Sequence, residues 1–476
     1  MIFNSYIFIL VFFPISVMGY QIIKQKKSPL LNSIYISIIS LLFYFYAEVF
    51  YGYVLIGILL CNLVCYYLLH WFRNADMRKL ILAAGIMGNL CWLAYYKYFN
   101  FAIESINSIF RLELPFRDSG LPLGISFISF HMIAFLADSY NNNISDFSIN
   151  NYFAYATFFP KVVSGPIVTY NEMEKGETNR ACWDLLAEGL FLFLAGLIKK
   201  VIFADTLGHA VDWAYGNLSE LNSITMLLVS FLYTLQIYFD FSGYSDMAIG
   251  VARMFGYELP VNFNSPYKST DMADFWDRWH MTLTNFFTRY LYIPLGGNRK
   301  GTVRTYINIM IVFLCSGLWH GASWTFVLWG AVHGALLILH RRFGRKLGSV
   351  PHLLKVLSTF LIINFTWMIF RAGSWLQLKE SMAVLFRWEG FTIHSELLQC
   401  FDGIGFGILQ NEYCILIAAG IFLFVAFLTV FACPNTQEVV ERKLFLNRKV
   451  TIVLVIGAVM SILSFSNVTT YIYAMF

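Results

Sequence analysis

Over 476 residues, 58% are hydrophobic and only 13% charged, which excludes a soluble domain, where about a quarter of residues carry charge. The formal net charge of +5 is no nucleic-acid signature, because the Lys and Arg residues fall in short clusters between apolar spans, the pattern that orients a polytopic protein in a bilayer. The 47 Phe and 28 Tyr suit rings at lipid interfaces and along internal cavities.

Residues 1–22 lack a basic leader and a small-residue cleavage site, and Lys24, Lys26 and Lys27 follow. This predicts a first span with its amino end outside, not a cleaved signal. Apolar runs near 4–22, 31–49 and 51–71 each approach the roughly 20 residues a bilayer requires. Arg73, Arg78 and Lys79 return the chain to the cytoplasm, and 80–96 goes outward. The runs 122–136 and 152–168 are short and carry Pro122, Gly124, Pro160, Gly165 and Pro166. Re-entrant or broken helices are expected there, and these survive at depth only when protein shields them. A long helix from about Cys182 to Leu207 carries Lys199 and Lys200 ahead of Asp205, and an apolar run covers 222–241. After the cytoplasmic cluster Arg299, Lys300 and Arg304, residues 305–340 are about twice one span. They predict a hairpin bending near His320, returned to the cytoplasm by Arg341, Arg342, Arg345 and Lys346. Spans at 354–370, 412–432 and 450–468 follow, with an acidic loop at 373–411 outside and Arg442, Lys443, Arg448 and Lys449 inside. Both termini are then extracytoplasmic. No repeat or low-complexity linker interrupts the chain, so 1–476 reads as one domain, with 96–372 as its chemical core.

Chemistry concentrates in two places. In Leu318-Trp319-His320-Gly321-Ala322-Ser323-Trp324 a histidine lies inside apolar sequence, where an ionisable side chain is costly and by default functional. Imidazole is also the side chain best suited to moving protons near neutral pH. Residues 240–299 are too polar for lipid and too aromatic for a free loop. Asp240, Ser242, Tyr244, Ser245 and Asp246 follow a span, and Asn262 to Tyr267, with Pro260 and Pro266, break the helix. A new helix is expected near Asp271, with Ser269, Thr270 or Asp271 as its N-cap. Along it, Trp276 and Asp277 share a face with His280, so the carboxylate could fix the imidazole tautomer. Trp276, Asp277, Arg278 and Trp279 read equally well as an interfacial amphipathic helix, and His280 as an interior hydrogen-bonding histidine. The turn ending in Arg299 suits a phosphorylated carrier held at the cytoplasmic face.

No metal site is expected, because His280, His320 and His333 lack helical-turn spacing and no carboxylate neighbours His320 in sequence. The eight cysteines form no CxxC pair or disulfide framework and read as buried small hydrophobes. Cys315 is conceivable as an acyl carrier, against a buried, inert role.

Taken together, the motifs resemble the membrane-bound O-acyltransferase (MBOAT) family, and within it the bacterial alginate and peptidoglycan O-acetyltransferase branch. The resemblance rests on Pro122-Leu123-Gly124-Ile125-Ser126-Phe127, Phe159 to Ile167, Asp240-Phe241-Ser242-Gly243-Tyr244-Ser245-Asp246 and Phe275-Trp276-Asp277-Arg278-Trp279-His280. It continues through Tyr292 to Arg299, Leu318-Trp319-His320-Gly321, Trp329-Gly330-Ala331-Val332-His333-Gly334 and Thr366 to Arg371. Members often carry Arg where this chain has Asp277. The Pro294-Leu295-Gly296-Gly297-Asn298-Arg299 turn favours the acetylating branch over teichoic-acid D-alanyl transfer.

The family implies an all-α polytopic membrane protein of about 10–13 transmembrane or re-entrant helices around a central tunnel. It implies His320 as the catalytic residue and His280 as its companion. Acetyl-CoA would be the co-substrate, with no permanently bound cofactor, docking near Arg299, Lys300 and Arg304. His320 would act as general base and His280 would orient the donor or stabilise the oxyanion. Trp276, Trp279, Trp319 and Trp324 would wall the tunnel and exclude water. Asp240, Ser242, Tyr244, Asn264 and Arg299 would complete the donor pocket. The acceptor would be an extracytoplasmic polysaccharide hydroxyl, commonly reached through a separate extracytoplasmic acetyltransferase, and the location the bacterial cytoplasmic membrane. The competing class is a secondary transporter, which broken helices and a midplane histidine also fit. Against it stand the absence of an inverted repeat and the expectation that no carboxylate and basic group pair within the membrane.

Overall fold

The computed structural model describes residues 3–117, 120–178, 180, 182–344, 350–401 and 411–465. Arg345 and Lys346, part of the 373–411 loop and the end of the 450–468 span therefore lie outside the described residues. Among the described residues, seven helices are long and apolar enough to cross a membrane: Pro29–Ala47, Val49–Trp71, Ala75–Phe110, Ser223–Met254, Thr302–His320, His352–Arg371 and Tyr413–Phe431. Phe8–Lys24 and Ile125–Tyr140 are shorter apolar helices. This is an all-α, multi-pass membrane protein. By contact it forms two compact units, residues 1–190 with 248–260, and residues 191–247 with 261–476.

In the first unit, residues with strong local signals start the helices. Ser28 caps Pro29–Ala47, with Pro29 at its first position, and the Asn74 side chain accepts from Asp76 and Met77 amides to begin Ala75–Leu93. Asn62 and Asn89 exchange side-chain amide bonds of 3.1 and 2.8 Å, which joins two helices without leaving either amide unsatisfied in an apolar setting. The 122–136 run departs from expectation: it belongs to a regular helix, Ile125–Tyr140, whose residues are almost all buried. Pro122 and Gly124 lie ahead of the helix, and Gly124 takes φ +68 at its N-cap. The 152–168 run does break. Ile149–Thr157 ends at Phe158, and Pro160 falls in the single turn Phe159–Val162.

The cysteines also differ from expectation. None is buried: Cys61, Cys91, Cys182, Cys315 and Cys414 are exposed and the other three intermediate. A thiol in an apolar run need not point inward, because the outer face of a membrane helix is itself apolar.

The second unit holds the elements that matter for chemistry, labelled α1 (Ser223–Met254, of which residues 223–247 belong to this unit), α2 (Met272–Trp276), α3 (Met281–Phe287), α4 (Thr302–His320), α5 (Trp324–Phe343) and α6 (His352–Arg371). The run at 222–241 does not stop where expected. α1 continues to Met254, so Asp240, Ser242, Tyr244 and Asp246 are buried within a helix instead of following one.

Helical burial of those carboxylates is possible because they have cations. Lys200 Nζ lies 2.7 Å from Asp240 and 2.8 Å from Asp205, and Lys199 Nζ lies 2.6 Å from Asp246. These contacts overturn the expectation that no carboxylate and basic group pair inside the apolar region. Partners 40 residues apart are invisible to a linear scan. α1 is joined to α6 through Thr234, Asn364 and Ser230, with bonds of 2.6 and 3.0 Å.

Candidate active site

α4 and α5 form the hairpin expected between 305 and 340, and its bend falls at residues 321–323. Two glycines set how closely its arms approach. A Cβ on Gly317 would strike the Phe326 carbonyl oxygen, and one on Gly330 would strike that of Phe313. His320 is the last residue of α4, Gly321 after it is extended, and the Ser323 side chain caps α5. Thr325 Oγ1 donates to the Ala372 carbonyl at 2.9 Å, tying the start of α5 to the end of α6. The His320 side chain is thus fixed at a rigid corner, with only 2% of its surface exposed.

His280 arrives from a different construction. α2 starts where the sequence indicated, with Asp271 accepting from the Ala273 and Asp274 amides, but it ends at Trp276. His280 sits beyond it in the left-handed region at φ 45, opening α3. That conformation is costly for a residue with a Cβ and is held by its surroundings. Here the support is a short antiparallel bridge between Phe263 and Trp279, with Met281 N donating to the Asn262 carbonyl at 3.0 Å. Thr282 Oγ1 donates to Asn262 Oδ1 at 2.6 Å.

The helical break also changes the role of Asp277. It is exposed while His280 is 1% exposed, so the expected shared face between the two is not formed.

The two imidazoles meet inside an aromatic cage. Their ring centroids are 6.5 Å apart, a separation at which one small group between them is within reach of both. Trp319 packs against both rings, at 5.9 and 5.0 Å. Phe241 stands edge-on to His280 at 4.7 Å. Trp329 and Phe370 stand edge-on to His320 at 5.2 and 5.3 Å.

Beside this cage lies a cavity of about 450 Å³, within the size range of small-molecule sites. Its deep wall comes from buried Trp276, Phe287, Ile309, Phe313 and Ser316. Its outer rim includes Asp277, Thr288, His340 and Arg341. Ser316 lies one turn before His320 on α4, so the apolar end of the cavity reaches the helical face that carries His320.

The remaining expected residues separate into groups. Trp276 lines the cavity and Trp319 joins the two histidines. Trp279 is buried in another stack, with Phe263 at 5.0 Å and Trp367 at 4.9 Å. Trp324 is 58% exposed. Asp240 is committed to Lys200, while Ser242 and Tyr244 are buried on α1. Asn264 is exposed and accepts from Asn435 at 3.1 Å. Arg299 is exposed and is not among the cavity residues. The sequence reading missed Ser316, His340 and Arg341 as cavity residues. In the sequence Arg341 reads only as a topological charge.

A scan for known families matches residues 45–369 to MBOAT, the membrane-bound O-acyltransferase family. The chain is 38% identical over 419 residues to the peptidoglycan O-acetyltransferase of Helicobacter pylori, covering 81% of this chain and 79% of that protein. It is 34% identical over 450 residues to the probable alginate O-acetylase AlgI of Pseudomonas aeruginosa, covering 88% and 82%. Similarity to the teichoic acid D-alanyltransferase of Bacillus subtilis is lower, 27% over 274 residues, covering 52% and 68%.

Proposed function

This chain belongs to the membrane-bound O-acyltransferase family and is an O-acyltransferase, and from that premise we propose that it takes an acetyl group from acetyl-CoA at the cytoplasmic face for O-acetylation of a cell-envelope or secreted polysaccharide. One observation carries the reading: two buried histidines from separate segments meet at 6.5 Å beside an apolar cavity with a charged rim. The polar body of CoA stays in water near Arg341 and His340, while the acetylated arm enters toward Trp276 and Ser316. This moves the docking edge from Arg299, Lys300 and Arg304 to the cavity mouth.

His320 is the general base. It takes the proton of the acceptor hydroxyl as that oxygen attacks the thioester carbonyl, so a C–O bond forms and the C–S bond breaks. His280 donates a hydrogen bond to the oxyanion, a contribution of roughly 10²–10³ in rate where such donors have been removed. Trp276, Trp319, Trp329 and Phe370 limit hydrolysis by keeping water from the thioester. Peptidoglycan and alginate are the acceptor classes named for the relatives. The hydroxyl that attacks at His320 would be presented from outside by a partner acetyltransferase, which would pass the acetyl group on to the glycan, with the protein in the cytoplasmic membrane and both termini outside.

The test is thiol release from acetyl-CoA by the purified protein with the partner acetyltransferase and a glycan acceptor. His320→Ala should lower both thiol release and acetylated product by at least about 10² at unchanged melting temperature. Wild-type turnover in that variant would remove His320 from the reaction.

A further inference from the structure

His333 stands in the interior with no role in the scheme above. It is 0% exposed, and both ring nitrogens are buried without a hydrogen-bond partner. Trp276 Nε1 and Trp329 Nε1 are likewise buried and unpartnered. These three rings are contiguous, with His333 5.1 Å from Trp276 and 4.6 Å from Trp329. Orphaned polar atoms at such density are rare in native interiors and are ordinarily satisfied by ordered water.

Their position gives the cluster a direction. Trp276 and Phe313 line the donor cavity, and His333 lies directly behind both, facing Phe313 in a stacked arrangement at 6.3 Å. On the other side Trp329 touches His320 at 5.2 Å. The order is cavity, Trp276 with Phe313, His333, Trp329, His320.

Resting on the acetyl-transfer reading, we propose that His333 is a proton-relay residue between His320 and the departing thiolate, working through water held by the Trp276 and Trp329 indole N–H groups. The balance is simple. The hydroxyl proton passes to His320, the C–O bond forms and the C–S bond breaks, releasing thiolate. The proton then travels from His320 through His333 to sulfur, leaving both imidazoles neutral and CoA as free thiol. An apolar cavity makes the relay necessary, because an unprotonated thiolate is costly where water is excluded.

The test varies the leaving group. The full-length protein is assayed with acetyl-CoA and with the acetyl thioester of 5-thio-2-nitrobenzoate, whose arenethiolate departs without needing a proton. His333→Gln and His333→Phe should each slow acetyl-CoA turnover by about 10² or more, while the aryl thioester slows less than about fivefold. Equal losses on the two donors, no loss on either, or failure of both variants to fold would assign His333 to packing and overturn the relay. His320→Ala separates this inference from its premise: it should lose both donors, and if it loses neither, the acetyl-transfer reading fails whatever His333 does.

Discussion

Lys200 offers the sharpest test of how this interior is held together. Its ammonium is 1% exposed and bridges Asp205 and Asp240, each 3% exposed, at 2.8 and 2.7 Å. Lys200→Met keeps the stem volume but leaves two carboxylates in one apolar pocket without their shared cation. Removing one partner of a buried pair typically costs about 3–5 kcal/mol, and mutual repulsion of the carboxylates adds to it. Against a total stability of about 5–15 kcal/mol, that is a large fraction. The expected outcome is loss of monodisperse protein in detergent, read by fluorescence-detected size exclusion and a thermal melt. The variant Lys200→Met/Asp205→Asn/Asp240→Asn removes all three charges and should recover most of the folded yield. If Lys200→Met alone melts like wild type, the triad does not hold the fold. If the triple variant folds but loses transfer activity beyond about a hundredfold, roughly 2.7 kcal/mol and more than the roughly 0.5–1.5 kcal/mol a lost neutral hydrogen bond explains, Asp240 acts in the reaction as well as in the scaffold.

Two further substitutions probe the site from either side. Gly330→Ala places a methyl against the Phe313 carbonyl oxygen and 3.3 Å from Gly317 Cα, so the arms of the hairpin must part. Overpacking of this kind costs about 1–3 kcal/mol, and a displacement near 1 Å at His320 should cost about 10² in kcat, seen as a fall in thiol release larger than the change in melting temperature explains. Arg341→Glu reverses charge at the cavity mouth and should raise KM for acetyl-CoA about tenfold or more at low salt with kcat nearly unchanged. Acetyl-pantetheine, which lacks the phosphates, should show no such penalty; an equal KM change for both donors would remove Arg341 from phosphate recognition.

Much of the architecture was legible because hydropathy and basic clusters act locally. The hairpin bend near His320 follows from a run about two spans long, and the Asp271 cap follows from residue type. The misses share a cause: they depend on partners distant in sequence. α1 runs past 241 because Lys199 and Lys200 satisfy carboxylates that, taken alone, look like the end of a span. Trp276, Asp277 and His280 appear to share a helical face only while the helix is assumed to continue. The Phe263–Trp279 bridge ends it and turns His280 inward. The pairing of His280 with His320 came from resemblance to a family. Nothing in the 39 residues between them announces contact.

The Lys200 triad bears on the competing reading as a transporter, since paired buried charges are what ion-coupled carriers possess. A coupling site must release its ion, so some of its ligands must open to solvent in turn. Here the ammonium is bonded to both carboxylates, and all three groups are almost fully enclosed. The histidine corner is equally ill suited to alternating exposure. It depends on backbone contact at Gly317 and Gly330, a strained residue at φ 45 and a cage of four aromatic rings, all of which parting helices would dismantle. Catalysis makes the opposite demand, because reacting groups must stay within about 0.5 Å of their productive geometry. A corner built to hold two imidazoles still, beside an apolar cavity with a charged rim, meets the requirement of acyl transfer and fails that of carriage.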